Sequence, residues 1–164
     1  MLTRIIPVLT FKDKRMIKTV QFDKYYDVGN PVTTAKFYNS QDVDELILLD
    51  MTATQDNRDP DFDIIEDFAS ECLMPLTIGG GINKIEHINK LLKIGADKIV
   101  INSYAIENPQ FITEAASIFG SQCIVVCIDA KIDKDGNYKV FTRGGSINTN
   151  LDVQEWSTIV ENKG

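Results

Sequence analysis

The sequence predicts an α/β protein built around a parallel sheet. Three observations carry this expectation. Short, mostly continuous apolar runs recur along the chain, stretches with helical spacing alternate with them, and every run ends on a polar residue or glycine. Continuous apolar runs fit strands buried on both faces. Regular βα alternation gives parallel strands joined by right-handed crossovers. Two architectures share this pattern, the doubly wound open sheet and the (βα)8 barrel.

The elements follow in order. RIIPVL (4–9) is the first strand. The long mixed segment FKDKRMIKTVQFDKYYDVGNP follows, and KRMIKTVQF within it has the pattern of a hairpin arm. No GxGxxG follows this strand, which tells against dinucleotide binding. ELILLDM (45–51) is the second strand. Asp59-Pro60 should start a helix, with Asp as N-cap and Pro in the first helical position. Ile64, Ile65, Phe68 and Cys72 would line its buried face. PLTIGG (75–80) is the third strand, and Ile85, Ile88 and Leu92 then repeat at helical spacing up to a stop near Gly95. His87 lies within this helix and is expected at the surface. KIVIN (98–102) is the fourth strand, and Asn108-Pro109 opens a helix carrying Phe111, Ile112 and Ala115. CIVVCID (123–129) is a buried fifth strand that delivers Asp129 to its tip. KIDKDGNYKVFTRGG reads as a second hairpin turning at Asp135-Gly136. Val153, Trp156 and Val160 mark the last helix, which completes five βα units.

At 164 residues the chain is long enough for one domain. No apolar run reaches the roughly 18 residues of a membrane span, and the N-terminus lacks the features of a leader peptide. A cytoplasmic protein is the expectation. The net charge of −7 argues against non-specific binding to nucleic acid or anionic membranes. Cys72, Cys123 and Cys127 form no CxxC pair and suit reduced thiols; Cys123 and Cys127 share a strand face and read as small core residues. One histidine leaves no plausible zinc site, and no metal or cofactor is expected.

The strand tips read Thr10, Asp50, Gly79-Gly80-Gly81, Asn102-Ser103 and Asp129. On parallel strands these would share one rim, where barrels keep their active sites. Glycines let backbone amides approach an anion, with a helix N-terminus just behind; a flexible turn explains a bare GGG equally well. Asn102 and Ser103 would complete a phosphate cradle with Gly80 and Gly81. Asp50 and Asp129 are candidates for a general acid/base pair, or for simple loop caps. Lys18, on the hairpin arm, is a candidate catalytic lysine or a solvated one.

RIIPVL…KD, DVGNPV, ELILLDMTA, PLTIGGGI, GADKIVINS, ENPQFI, FGSQCIVVCIDAK and VFT together resemble the cyclase subunit of imidazole glycerol phosphate synthase, along essentially the whole chain. That resemblance implies a TIM-type (βα)8 barrel, a lyase that receives ammonia from a glutaminase partner and closes an imidazole ring on a bisphosphate in histidine biosynthesis. It makes Asp129 the second of two catalytic aspartates. Gly81, Asn102 and Ser103 match one phosphate site, Asp50 and Thr52 polar mouth residues, and Lys18 the lysine of a mobile first loop. Arg4, Glu45 and Lys98 match three members of a charged ring that gates ammonia entry at the bottom of the barrel.

The departures are informative. The first catalytic aspartate is replaced by Thr10, in VLTFKD where the family reads xLDxKD. Threonine exchanges no proton near neutral pH, and a placed carboxylate contributes about 10²–10⁴-fold. Lys14, Thr19 and Asn150 stand where glycines are common, which implies altered loop conformations. These features are similar to a paralogous branch associated with surface-polysaccharide gene sets and with sugar amidation. The chain also stops after the fifth helix, so the expectation is a single, incomplete barrel without strands 6–8, either a fragment or a truncated product. Three functions follow: an ammonia-handling barrel partnered with a glutaminase and possibly a sugar amidotransferase, a true histidine-pathway cyclase, or a non-catalytic module that binds a phosphosugar or docks to a glutaminase.

Overall fold

The computed structural model describes residues 3–20 and 24–164. The chain forms two compact units, one up to Ile99 and one from Val100 onward. Residues 21 and 22, the end of the predicted hairpin arm, lie outside the described residues.

The first unit contains β1 (Val8–Lys12), β2 (Arg15–Val20), β3 (Lys24–Gly29), α1 (Pro31–Asn39), β4 (Leu46–Asp50), α2 (Phe62–Ala69), β5 (Leu76–Gly79), α3 (Ile85–Lys93) and the start of β6 (Lys98–Ile101). Its strands lie in the order β3-β2-β1-β4-β5. β1, β4 and β5 are mutually parallel, while β2 and β3 fold back as antiparallel arms. The register aligns Leu9, Leu48 and Ile78 in one row. Leu48 and Ile78 there are at most 1% exposed, as are Ile65 and Phe68 of α2 and Ile88 and Leu91 of α3. The alternate row runs Val8, Ile47, Thr77, and the next Thr10, Leu49, Gly79. Side chains alternate along a strand, so these two rows share the opposite face.

Several boundaries differ from the sequence expectation. The first strand covers Val8–Lys12 rather than 4–9. Pro7 has no N–H for a ladder and its carbonyl only accepts, from Ile47 N at 3.0 Å. Pairing therefore begins there and continues through Lys12, where β2 turns back. Thr10 is consequently mid-strand, not at the tip, paired with Ile17 and Leu49. Helix α2 begins at Phe62 with Asp61 as N-cap, accepting from Ile64 N at 3.3 Å. Asp59 does not cap it, because its carboxylate is held by Lys84 and His87 instead. In α3 the buried face is His87, Ile88 and Leu91, so the helix is turned from the expected 85/88/92 stripe. His87 is 4% exposed, not a surface residue.

The second unit contains the end of β6, α4 (Ser103–Glu107), α5 (Gln110–Phe119), β7 (Ile124–Val126), β8 (Asp129–Ile132), β9 (Tyr138–Thr142), β10 (Ile147–Asp152) and α6 (Val153–Lys163). Phe111, Ile112 and Ala115 of α5 and Trp156 of α6 are buried, as the spacing predicts. β8, β9 and β10 form a separate antiparallel sheet in the order β10-β9-β8. The predicted hairpin is thus extended by a third strand. Its turn is tied by Asp133, whose carboxylate accepts from Asp135 N and Asn137 N, both at 2.9 Å. β7 is shorter than expected and only half-buried, as are Cys123 and Cys127. Asp129 is not its tip but the first residue of β8, opposite Phe141. Burial pushes the Cys72 thiol up to about 11, and burial with the nearby Asp129 charge raises Cys127.

Candidate functional site

Three polar clusters contain most of the residues singled out in the sequence, and a cavity holds Thr10 and Lys18. The first lies at the N-terminal ends of β4 and β6. Glu45 directly precedes β4, its side chain 7% exposed, and one carboxylate oxygen pairs with Arg4 Nη1. The other accepts from Lys98 Nζ at 3.0 Å, at the start of β6. A carboxylate bridging two cations satisfies its own burial and fixes both partners. Arg4 is 64% exposed and contributes from a segment ahead of β1 rather than from a strand. The predicted charged cluster is therefore assembled, with Glu45 at its centre.

The second cluster belongs to the β4–α2 loop. The Asp50 side chain is fully buried and gripped in bidentate fashion by Arg58, Nη1 to Oδ2 and Nη2 to Oδ1, each 2.7 Å. Arg58 Nη2 also donates to Thr52 Oγ1 at 2.9 Å. Backbone amides of Thr52, Ala53 and Asp61 donate to the same carboxylate at 3.2–3.4 Å. The Asp50 hydrogen bonds and charge hold Arg58 firmly protonated. A buried carboxylate engaged by this many donors has the geometry of a loop organiser. The loop it organises presses on the glycine turn. A Cβ on Gly80 (φ +105) would meet the Asp50 carbonyl oxygen at 2.2 Å, and one on Gly81 (φ +72) the Ala53 Cβ at 2.6 Å. Both glycines are required by backbone conformation and by this close approach. Helix α3 begins just beyond, without a side-chain cap on its first amides.

Thr10 and Lys18 line a cavity of about 790 Å³ in the first unit, with Asn30, Thr33, Thr34 and Tyr38 among the other lining residues. The Thr10 hydroxyl donates to the Ile17 carbonyl across the hairpin at 2.6 Å. Lys18 is exposed on β2.

The third cluster lies in the second unit. Asn102 Nδ2 donates to Asp129 Oδ2 at 3.0 Å. Asp129 is half-buried, and the Asn102 Oδ1 is buried with no partner. Ser103 Oγ accepts from Arg143 N at 3.0 Å and so anchors the start of the β9–β10 turn. Among the described residues Asp129 accepts from Asn102, whereas Asp50 accepts from Arg58 and three backbone amides.

Sequence reasoning missed Arg58, His87 and Arg143. Arg58 carries no periodic signal, sitting in a loop eight residues after its partner. The one available cue was DNRDP itself, an arginine among acids directly after a strand ending in aspartate.

Residues 4–164 match the family described as Histidine biosynthesis protein. The match takes in all three clusters and nearly the whole chain. With its alternating β and α elements and parallel β1, β4 and β5, the chain belongs to the histidine biosynthesis protein family of (βα)8-barrel enzymes.

Proposed function

We propose that the chain is the barrel component of a glutamine-dependent amidotransferase system, taking ammonia from a glutaminase and supporting amidation of a phosphorylated or surface-polysaccharide sugar. The observation that carries this reading is the pairing of two features. The Arg4–Glu45–Lys98 cluster is intact, while the position of the first catalytic aspartate holds a threonine whose hydroxyl is turned into its own hairpin. Machinery for admitting ammonia is kept and one half of the acid/base pair is missing. Asp129 is the remaining proton-transfer group, positioned by Asn102. Lys18 and Asp50 take part only as substrate-contacting and loop-organising residues. Gly80 and Gly81 are assigned to an anion contact within the first unit and, separately, Asn102 and Ser103 to one within the second.

The test is a comparison of nitrogen sources. Lys98→Ala and Glu45→Gln should lower glutamine-dependent amidation while leaving amidation with added ammonium salts unchanged. Equal loss with both sources, or no loss with either, would remove the gate from the proposal.

The family match favours a second reading, a histidine-pathway cyclase. It requires ammonia-dependent turnover of the bisphosphate precursor with threonine at position 10. Absence of turnover that Thr10→Asp restores would exclude it for the natural sequence.

A further inference from the structure

His87 is the chain's single histidine and is 4% exposed on the inner face of α3. Its Nε2 lies 3.2 Å from Asp59 Oδ1, and Asp59 is also held by Lys84 Nζ at 3.0 Å. The Phe62 ring meets the imidazole edge-to-face at 5.8 Å, and Lys90 Nζ sits 3.8 Å from the centre of that phenyl ring on its own account. Nδ1 is buried with no hydrogen-bond partner. A buried polar atom left without a partner costs about 1–3 kcal/mol, so its retention calls for a use.

The neighbourhood supplies one. The Gly81 carbonyl acts on the ring so as to favour its protonated form. The Arg58 carbonyl, one residue before Asp59, lies 3.1 Å from where a Gly81 Cβ would be. The Asp59–His87 pair therefore borders the stretch, Arg58 to Pro60, that packs on the glycine turn. Singly protonated, the imidazole can donate to only one of Asp59 and Gly81. Doubly protonated, it has a donor for each side.

We propose that His87 is a positioning residue for the Gly80–Gly81 turn, and that the imidazolium, bridging the Asp59 carboxylate and the Gly81 carbonyl, tightens anion binding at that turn. The inference rests on the assignment of Gly80 and Gly81 to phosphate. Its charge balance is local. Asp59 from the β4–α2 loop attracts the imidazolium; Lys84 at the start of α3 opposes it, as does Lys90 beyond Phe62. Burial is the largest influence and lowers the proton affinity of the ring, with the Lys84 charge acting the same way and Asp59 and Gly81 against them. The ring is thus neutral at neutral pH and takes up its proton only below the ordinary 6.5. A bound dianion reverses part of that burial penalty, since it places negative charge near the new cation.

Linkage makes this measurable. If protonation tightens the anion, the anion must raise the pKa of the ring by the same factor. A single histidine gives one Cε1–H resonance in a proton–carbon spectrum, free of overlap. Sulfate is the probe, because it stays a dianion between pH 5 and 8. Its Kd, followed through the backbone amides of residues 79–82, should tighten about three- to tenfold on acidification, and the histidine midpoint should rise correspondingly, one unit per tenfold. His87→Gln keeps a donor for Asp59 but cannot titrate, so it should abolish the pH dependence. Should that variant fail to fold, Asp59→Asn retains the histidine signal and should shrink the sulfate-induced shift. A sulfate Kd that is independent of pH, with the glycine amides responding and the histidine midpoint unmoved, overturns the inference and leaves the phosphate assignment standing. No response of residues 79–82 at any pH overturns both.

Discussion

Arg58→Ala should destabilise the protein by about 3 kcal/mol, the low end of the 3–5 kcal/mol range for stripping one partner from a buried ion pair. The estimate follows from the geometry. The Asp50 carboxylate has no exposed surface in the intact chain, and its charge loses two 2.7 Å donors. Two considerations hold the figure at the low end. The three backbone amides on the carboxylate remain, and Arg58 is itself 34% exposed, so part of its attraction is already screened. For a chain of this length about 3 kcal/mol is roughly 6–12 °C in Tm. Urea and thermal unfolding followed by circular dichroism would measure it, and a double-mutant cycle with Asp50→Asn would isolate the coupling. A loss under about 1 kcal/mol is what an exposed pair gives, and it would refute the view of Asp50 as a buried loop organiser. The same cycle separates structure from catalysis. If Asp50→Asn removed activity while leaving stability unchanged, Asp50 would be a reacting group after all.

Other outcomes follow from the same coordinates. Gly81→Ala places a Cβ 2.6 Å from Ala53 at φ +72 and should cost at least about 1–3 kcal/mol, together with sulfate binding at the turn. Lys14→Gly should be stabilising by up to about 1 kcal/mol, since Lys14 holds φ +62 where a side chain is strained; a destabilised variant in urea melts would contradict this. His87 sets an acid limb. Its proton affinity in the folded protein is below the ordinary 6.5, so the unfolded chain takes up the proton first as pH falls. Stability should therefore decline below about pH 6.5 until the folded ring also protonates, and His87→Gln should flatten that limb in urea midpoints measured from pH 7.5 to 5.

Much of the architecture was legible because it rests on periodicity. The runs at 45–51, 75–80 and 98–102 became β4, β5 and β6 within a residue or two, and Phe111, Ile112 and Ala115 are buried as their spacing requires. The pairing of Glu45 with Arg4 and Lys98 was legible only through family likeness, since their separations of 41 and 53 residues carry no local signal. What escaped was decided by tertiary competition. Asp59 and Asp61 are both good N-caps; Lys84 and His87 claim the first, so the second caps α2. In α3, Ile85, Ile88, Leu91 and Leu92 admit two apolar stripes, and choosing the 91 face carries His87 inward. Asp129 was placed at a strand tip because CIVVCID is continuous, yet the Asp133 turn draws residues 129–132 into pairing with β9.

Lys14, Thr19 and Asn150 differ in backbone conformation. Lys14 and Asn150 both adopt left-handed backbone, at φ +62 and +61, the region glycine favours. Thr19 lies in regular β2, paired with Tyr25. Two of the three substitutions thus keep the backbone of a glycine and accept strain, about 1–2 kcal/mol for lysine and less for asparagine. At Thr10 the hydroxyl donates to the Ile17 carbonyl. An ionised aspartate there has no proton to give that carbonyl and would be repelled by it, so Thr10→Asp should turn its carboxylate away from Ile17 and into the cavity shared with Lys18. The hairpin should loosen as that bond is lost, with faster amide exchange in β2, while the cavity gains the proton acceptor that the natural sequence lacks. Unchanged exchange in β2 would mean that the hydroxyl contributes nothing to the hairpin and that threonine stands at position 10 for another reason.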